Sequence, residues 1–213
     1  MKHFLLLAIL PILAGQDWSI VPGERVGPIT AATVRSDLDR NFPKGAVEDD
    51  QIELDEGMLE PATLVYRKDP SQTLAVAWKD GHPREVFICF GRRRGACKWE
   101  TRSGIRIGTR LNDLERMNRR AFTISGFGFN YGGNVLAWDG GKLAILDCGA
   151  KLILTLDGDR VRGGEYTVEL TSEERHSISG DRPISSGAPP MRKLNPGVVG
   201  LLMRFTQEPC AQP

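Results

Sequence analysis

Histidine is almost missing from this sequence, and much reactive chemistry goes with it. The 213 residues hold three, His3, His82 and His176, and none belongs to a spaced cluster of Cys, Asp or Glu. A zinc site needs three or four such ligands together, so no metal is expected. There is no G-x-S-x-G elbow and no C-x-x-C pair, which removes the usual signatures of a serine hydrolase and of a thioredoxin-like redox protein. The glycine-dense run Gly126-Phe127-Gly128-Phe129-Asn130-Tyr131-Gly132 does not have G-x-G-x-x-G spacing, and no helical pattern follows it. A phosphate cradle needs a helix N-terminus at that point, so no nucleotide or other cofactor is expected, and a glycine-kinked strand pair is the expectation instead.

An excess of one charge is also lacking, since 28 Lys and Arg face 27 Asp and Glu. Such a balance gives no general attraction for nucleic acid or an anionic membrane, and neither partner is expected. The balance conceals blocks. Between Ser36 and Glu60 nine acidic residues face Arg40 and Lys44, and between Arg84 and Arg120 eleven basic residues face four acidic ones. Solvated faces are the ordinary meaning of such blocks, with a binding surface as the alternative. Glu48, Asp49, Asp50, Glu53, Asp55 and Glu56 do not match an EF-hand loop and read as a solvated acidic hairpin.

Long apolar runs are absent too. The run from Phe4 to Ala14 is too short to span a bilayer, and it follows Met1-Lys2-His3 and precedes Leu13-Ala14-Gly15. That order reads as a signal peptide over residues 1–15, cleaved near Gly15, which places the mature chain outside the cytoplasm, periplasmic or secreted, with no membrane insertion. Gln16 stands where a lipoprotein would carry cysteine. In an oxidising compartment the four cysteines, Cys89, Cys97, Cys148 and Cys210, read as two disulfides with three possible pairings. Cys89 with Cys97 is favoured, because Val86–Phe90 reads as a strand and Gly91–Gly95 as the turn after it. Closing so short a loop is worth roughly 2 to 3 kcal/mol in the chain-entropy model.

What the chain does contain is mostly strand signal. Leu74, Val76 and Trp78 alternate with small or polar residues, as do Tyr166, Val168 and Leu170. Further strands are expected at Gln51–Leu54, Ala62–Tyr66, Glu85–Phe90, Ala121–Phe127, Asn134–Trp138, Lys142–Leu146, Leu152–Leu156 and Val198–Phe205. Asp139-Gly140-Gly141 and Asp157-Gly158-Asp159 suit turns between them. Two helices are expected, one capped by Thr33 with Val34, Leu38 and Phe42 inward, the other capped by Thr109 with Leu111, Leu114 and Met117 inward. A shift of 76 residues superposes Ile29 on Ile105, Thr33 on Thr109, Asp37 on Asp113, Leu38 on Leu114 and Arg40 on Arg116. The fold class is therefore expected to be α+β, mostly β, a tandem repeat of a helix packed on an antiparallel sheet. Residues 16–23 form an N-terminal linker, 24–100 repeat 1, 101–170 repeat 2, 171–196 a flexible polar loop, and 197–213 a C-terminal strand and tail.

Val26-Gly27-Pro28-Ile29-Thr30 and Asp37-Leu38 carry a resemblance. It continues in Gly104-Ile105, Ile107-Gly108-Thr109, Leu114-Glu115, Asn118 and Phe122, then in Gly126–Gly133, Val135, Trp138 and Gly140-Gly141-Lys142-Leu143. Together these resemble a family of uncharacterised secreted bacterial proteins, which implies export and this fold but no chemistry. Members often carry glycine and aspartate where this chain has Arg119 and Asn130. The helix-then-sheet tandem is also similar to the architecture of the β-lactamase inhibitory protein and of small outer-membrane assembly lipoproteins, whose sheet face presents aromatic residues to a protein. That likeness implies a partner in the envelope or an extracellular protein.

No catalytic residue is expected. A non-catalytic binding module fits best, with Phe129, Tyr131 and Trp138 as aromatic anchors and Arg92, Arg93 and Arg94 steering an acidic partner. The alternative is a carboxylate-dependent hydrolase acting on an envelope or extracellular substrate. Two carboxylates on distant strands leave no local signature.

Overall fold

A computed structural model describes residues 16–53, 57–90, 97–129, 131–147, 151–157 and 168–205. The chain is mixed α+β, predominantly β, and its sheets are largely antiparallel. It opens with short strands β1 (Ser19–Val21), β2 (Arg25–Val26) and β3 (Ile29–Thr30), followed by helix α1 (Arg35–Asn41). Four long strands come next, β4 (Val47–Glu53), β5 (Leu59–Val65), β6 (Leu74–Lys79) and β7 (His82–Ile88). Then follow β8 (Glu100–Thr101), α2 (Leu111–Asn118), β9 (Thr123–Ser125), β10 (Val135–Ala137), a 3-10 turn at Lys142–Asp147 and β11 (Lys151–Leu156). The last part holds α3 (Ser172–Ser177), β12 (Pro183–Ser185), α4 (Pro189–Leu194) and β13 (Val198–Arg204).

The largest sheet has the order β11-β13-β7-β6-β5-β4 and is antiparallel throughout. Its β6–β7 hairpin turns at Asp80 and Gly81, both with positive φ, the pair of left-handed residues that a two-residue turn requires. One face meets a core drawn from the whole chain, including Ile20, Leu38, Val76, Trp99, Leu114, Phe122, Leu154 and Met203. The alternation of Leu74 and Val76 reads correctly onto that core. Ala75 and Ala77, on the other face, are nonetheless buried with Ile52, Ala62 and Leu64, so the strand is covered on both sides. Small side chains at the polar phase of the pattern had hidden this second cluster.

Both expected helices form, but the threonines do not cap them. The Thr33 hydroxyl accepts the Thr30 N–H at 2.9 Å, and the Thr109 hydroxyl accepts the Arg106 N–H at 3.0 Å. The first helix begins instead with the Val34 N–H donating to the Asp37 carboxylate. The second is capped from far along the chain, the Leu111 N–H donating to the Pro196 carbonyl and the Asn112 N–H to Asn195 Oδ1. At this level the 76-residue offset is obeyed closely. The threonine brackets, the helix starts at Arg35 and Leu111, the buried Leu38 and Leu114, and the Asp37–Arg40 and Asp113–Arg116 ion pairs all correspond. Beyond the helices the correspondence ends, because α1 leads into seven-residue strands of the large sheet and α2 into the three-residue strands of a separate sheet, β10-β9-β12.

Three local expectations are corrected. Lys142–Leu146 is a 3-10 turn, not a strand. The Leu143 N–H donates to Asn118 Oδ1, and Leu143 and Leu146, three apart, are buried while Ile145 faces out. Val168 to Leu170 has no regular structure, and Tyr166 and the turn at 158–159 lie outside the described residues. The polar segment 171–196 is organised into α3, β12 and α4. Its few apolar residues, Ile178, Ile184, Met191 and Leu194, are spaced irregularly but all reach the core. Thr171 and Glu174 form a capping box at α3, and Pro189 opens α4.

The resemblance block is explained by packing. Asn118 is fully buried, donates to the carbonyls of Arg120 (3.1 Å) and Trp138 (3.0 Å), and accepts from Leu143. Glu115 accepts from the Ser186 hydroxyl at 2.7 Å and from Arg192 at 3.3 Å, tying α2 to the 171–196 segment. Arg119 has φ +64 at the C-terminus of α2. A left-handed residue with a Cβ costs about 1 kcal/mol relative to glycine there. Arg119→Gly should therefore stabilise the protein by about 1 kcal/mol, read as a raised urea midpoint with an unchanged m-value.

Candidate functional site

The nominated residues that the structure describes do not share one surface, because Trp138 is buried and Tyr131 exposed. Cys89 and Cys97 are bonded, with Cα atoms 5.9 Å apart. Arg92, Arg93 and Arg94, in the loop this bond closes, lie outside the described residues, as do Cys148, Cys210, Asn130, Asp55 and Glu56. Trp138 is a core residue, 2% exposed and packed against Phe122 with ring centroids 4.9 Å apart, so it is corrected from anchor to core. Phe127 is buried and Phe129 half-buried. Tyr131 is 66% exposed.

The strand pair β9 and β10 holds the loop that carries Tyr131. Its backbone is braced on several sides. The Tyr131 carbonyl accepts from the Ser125 hydroxyl (2.5 Å) and the Asn134 N–H (3.3 Å), and the Gly133 N–H donates to the Ser125 carbonyl (3.1 Å). The Phe127 N–H donates to Ile178, and the Leu156 N–H donates to the Gly133 carbonyl, joining the loop to the segment after α3 and to β11. Two glycines are dictated by close approach. A Cβ on Gly126 would lie 2.4 Å from the Gly180 carbonyl oxygen, and one on Gly133, at φ +84, would lie 2.5 Å from that of Leu156. Gly126 and Gly133 are therefore required by packing. Tyr131 itself is held at φ +62, an uncommon state for a residue with a side chain.

A second feature lies at the other end of the molecule's sequence. A cleft of about 370 Å³ is lined by Arg35 of α1, Asp49 and Asp50 of β4, Glu60, Pro61, Ala62 and Thr63 of β5, Trp78 of β6, and Gly81. A hydrogen-bonded chain crosses it. The Trp78 indole N–H donates to the Thr63 hydroxyl (3.0 Å), this donates to Asp49 Oδ1 (2.7 Å), and Arg35 Nε donates to the same oxygen (2.6 Å). Asp50 pairs with Arg67, and Glu60 with Arg84 at 2.7 Å. The acidic segment read from sequence contributes β4 of the β4–β5 hairpin, where Arg35 meets Asp49 and Arg67 meets both Glu48 and Asp50. Nothing local in the sequence marked this cleft, because its members come from four elements.

His82 and His176 are exposed, and among the described residues no three His, Cys, Asp or Glu side chains gather as metal ligands. Also among the described residues, no helix is long and apolar enough to cross a membrane. Comparison with protein-family models, with curated proteins and with solved structures finds no match to this chain.

The Arg35 guanidinium, followed by the Thr63 hydroxyl, holds the Asp49 carboxyl below the ordinary carboxylate range, and Asp49 in turn raises Arg35. A depressed folded-state pKa stabilises above the unfolded value, about 3.9, and that contribution is lost as pH falls through the folded one. The tie between Asp49 and Arg35 is consequently intact at neutral pH and loosens in acid. A carboxyl-carbon NMR titration should place the Asp49 midpoint below the ordinary value, and Arg35→Ala should move it upward; an unmoved midpoint in that variant would show that Arg35 does not hold it.

Proposed function

We propose that this chain is an exported, non-catalytic binding module that engages an envelope or extracellular protein through the Tyr131 loop. The observation that carries this reading is Tyr131 itself, a large amphipathic side chain left exposed on a backbone that hydrogen bonds and close-packed glycines hold rigid. A tyrosine presented this way loses little conformational freedom on binding, and tyrosine is among the residues that dominate interface energetics. Phe129, half-buried beside it in sequence, extends the apolar contact, and Arg92 to Arg94 steer an acidic partner. The Cys89–Cys97 bond supports an oxidising compartment, in keeping with cleavage of residues 1–15.

The resemblance to the family of uncharacterised secreted bacterial proteins is kept as part of this proposal, since its block residues build the frame behind the loop. So is descent by tandem duplication, supported by the matching threonine brackets and helix starts. The hydrolase reading needs a carboxyl acid whose pKa is raised by apolar surroundings, whereas Asp49 in the cleft is displaced downward. Affinity capture from an envelope fraction with the oxidised chain tests the proposal. Tyr131→Ala and Tyr131→Gly should each lower retention of a specific protein at least tenfold, about 1.4 kcal/mol. Tyr131→Gly also relieves the left-handed backbone, so equal loss in both assigns the effect to the ring. Unchanged retention in both variants would overturn the assignment.

A further inference from the structure

We propose that the cleft between α1 and the β4–β6 end of the large sheet is a saccharide-binding site, taking one or two sugar rings. Its volume, about 370 Å³, is at the small end of small-molecule sites, which run from roughly 300 to 1,000 Å³. Its chemistry is more selective than its size. Trp78, half-buried, gives the cleft an indole surface, and the hydrogen bond from its Nε1 to Thr63 fixes the ring. An indole offers a flat apolar face to the C–H groups of a sugar ring without needing charge.

The polar side chains then supply acceptors. Asp49 uses Oδ1 for both Arg35 and Thr63, Asp50 uses Oδ2 for Arg67, and Glu60 uses Oε2 for Arg84. The second oxygen of each carboxylate has no partner among the described residues. Arg35 spends Nε on Asp49 and Nη1 on Asp39, leaving Nη2 as a donor. A carboxylate oxygen beside a guanidinium N–H is the arrangement that meets a hydroxyl group in both of its roles, as donor and as acceptor.

Charge decides between a neutral and a cationic ligand. Each of the three carboxylates meets an arginine, and each arginine also meets a second carboxylate, Asp39, Glu48 or Glu85; an ammonium group would have to compete with these guanidinium groups for the paired oxygens, whereas hydroxyls need only the open ones. The ligand that combines several hydroxyls with an apolar C–H face is a saccharide. Holding the carboxylates in place beforehand also lowers the ordering cost of binding.

The test follows the indole N–H resonance of Trp78 in the oxidised full chain by NMR, assigned with Trp78→Phe, while maltose, cellobiose, N,N′-diacetylchitobiose or spermidine is added. At least one disaccharide should shift that resonance saturably with a Kd of about 1 mM. Asp49→Asn should weaken this at least tenfold, and Trp78→Ala, which removes the probe, should lower the saturation-transfer signal on the sugar protons at least tenfold; Asp49 has a 67% exposed side chain, so its replacement leaves folding intact if Trp78→Ala does not. A resonance unmoved by all three disaccharides, a shift produced by spermidine alone, or saccharide binding undiminished in Asp49→Asn would each overturn the site.

Discussion

The placement of β13 between β7 and β11 is the constraint on which the rest of this structure depends. Leu201 to Arg204 pair with Ile88 to Glu85 on one side, and Val198 to Arg204 pair with β11 on the other. β11 has no other partner strand among the described residues, and without β13 the sheet would end at β7. The pairing joins segments more than a hundred residues apart, as the Arg204–Glu85 bond does across 119 positions. Such closure costs chain entropy that only a large buried area offsets, and the apolar rows of β7, β13 and β11 provide that area. The residues leading into β13 do a second job, because Asn195 and Pro196 supply the acceptors for the first N–H groups of α2. One return of the chain therefore completes a sheet and starts a helix.

This explains which parts of the fold were legible in the sequence. Strand β6 was readable from alternation, and β5, β7, β11, β13 and the last residues of β4 from runs of strand-forming residues, because those signals are local. The 76-residue offset was legible for the same reason. The helix caps were not, since Thr109 looks like a cap but the acceptors come from position 195. Nor was the order in 171–196. Its apolar residues follow no period, and they are held by partners such as Glu115 on α2 and Phe127 on the glycine loop. Lys142–Leu146 was misread because Leu143 and Ile145 mimic a strand, while the residue that decides the matter, Asn118, lies 25 positions away.

The two candidate sites divide along the same line. Tyr131 could be found from the sequence because glycine density marks an unusual backbone, although it could not be told from Trp138, whose burial depends on Phe122 and the α2 end. The cleft could not be found at all. Arg35, Asp49, Thr63 and Trp78 are unremarkable singly and gain meaning only where the fold brings them to one cleft.

β4 is the edge of the large sheet, and its acidic residues have an evident protective use. Charge on an edge strand discourages pairing with another chain. Protection alone, however, calls only for solvated charge, and here several of the acids, though exposed, are also paired. Arg35 from α1 meets Asp49, Arg67 just beyond β5 meets Glu48 and Asp50, and on the neighbouring strand Arg84 of β7 meets Glu60, so part of the edge charge is neutralised. Exposed ion pairs add little to stability, commonly under about 1 kcal/mol. The same pairs hold Asp49, Asp50 and Glu60 around the cleft that Trp78 lines. Fixed acceptors beside an aromatic face are what recognition of a small polar ligand requires, and that is why the cleft, rather than the acidity of the strand, is the informative feature of this edge.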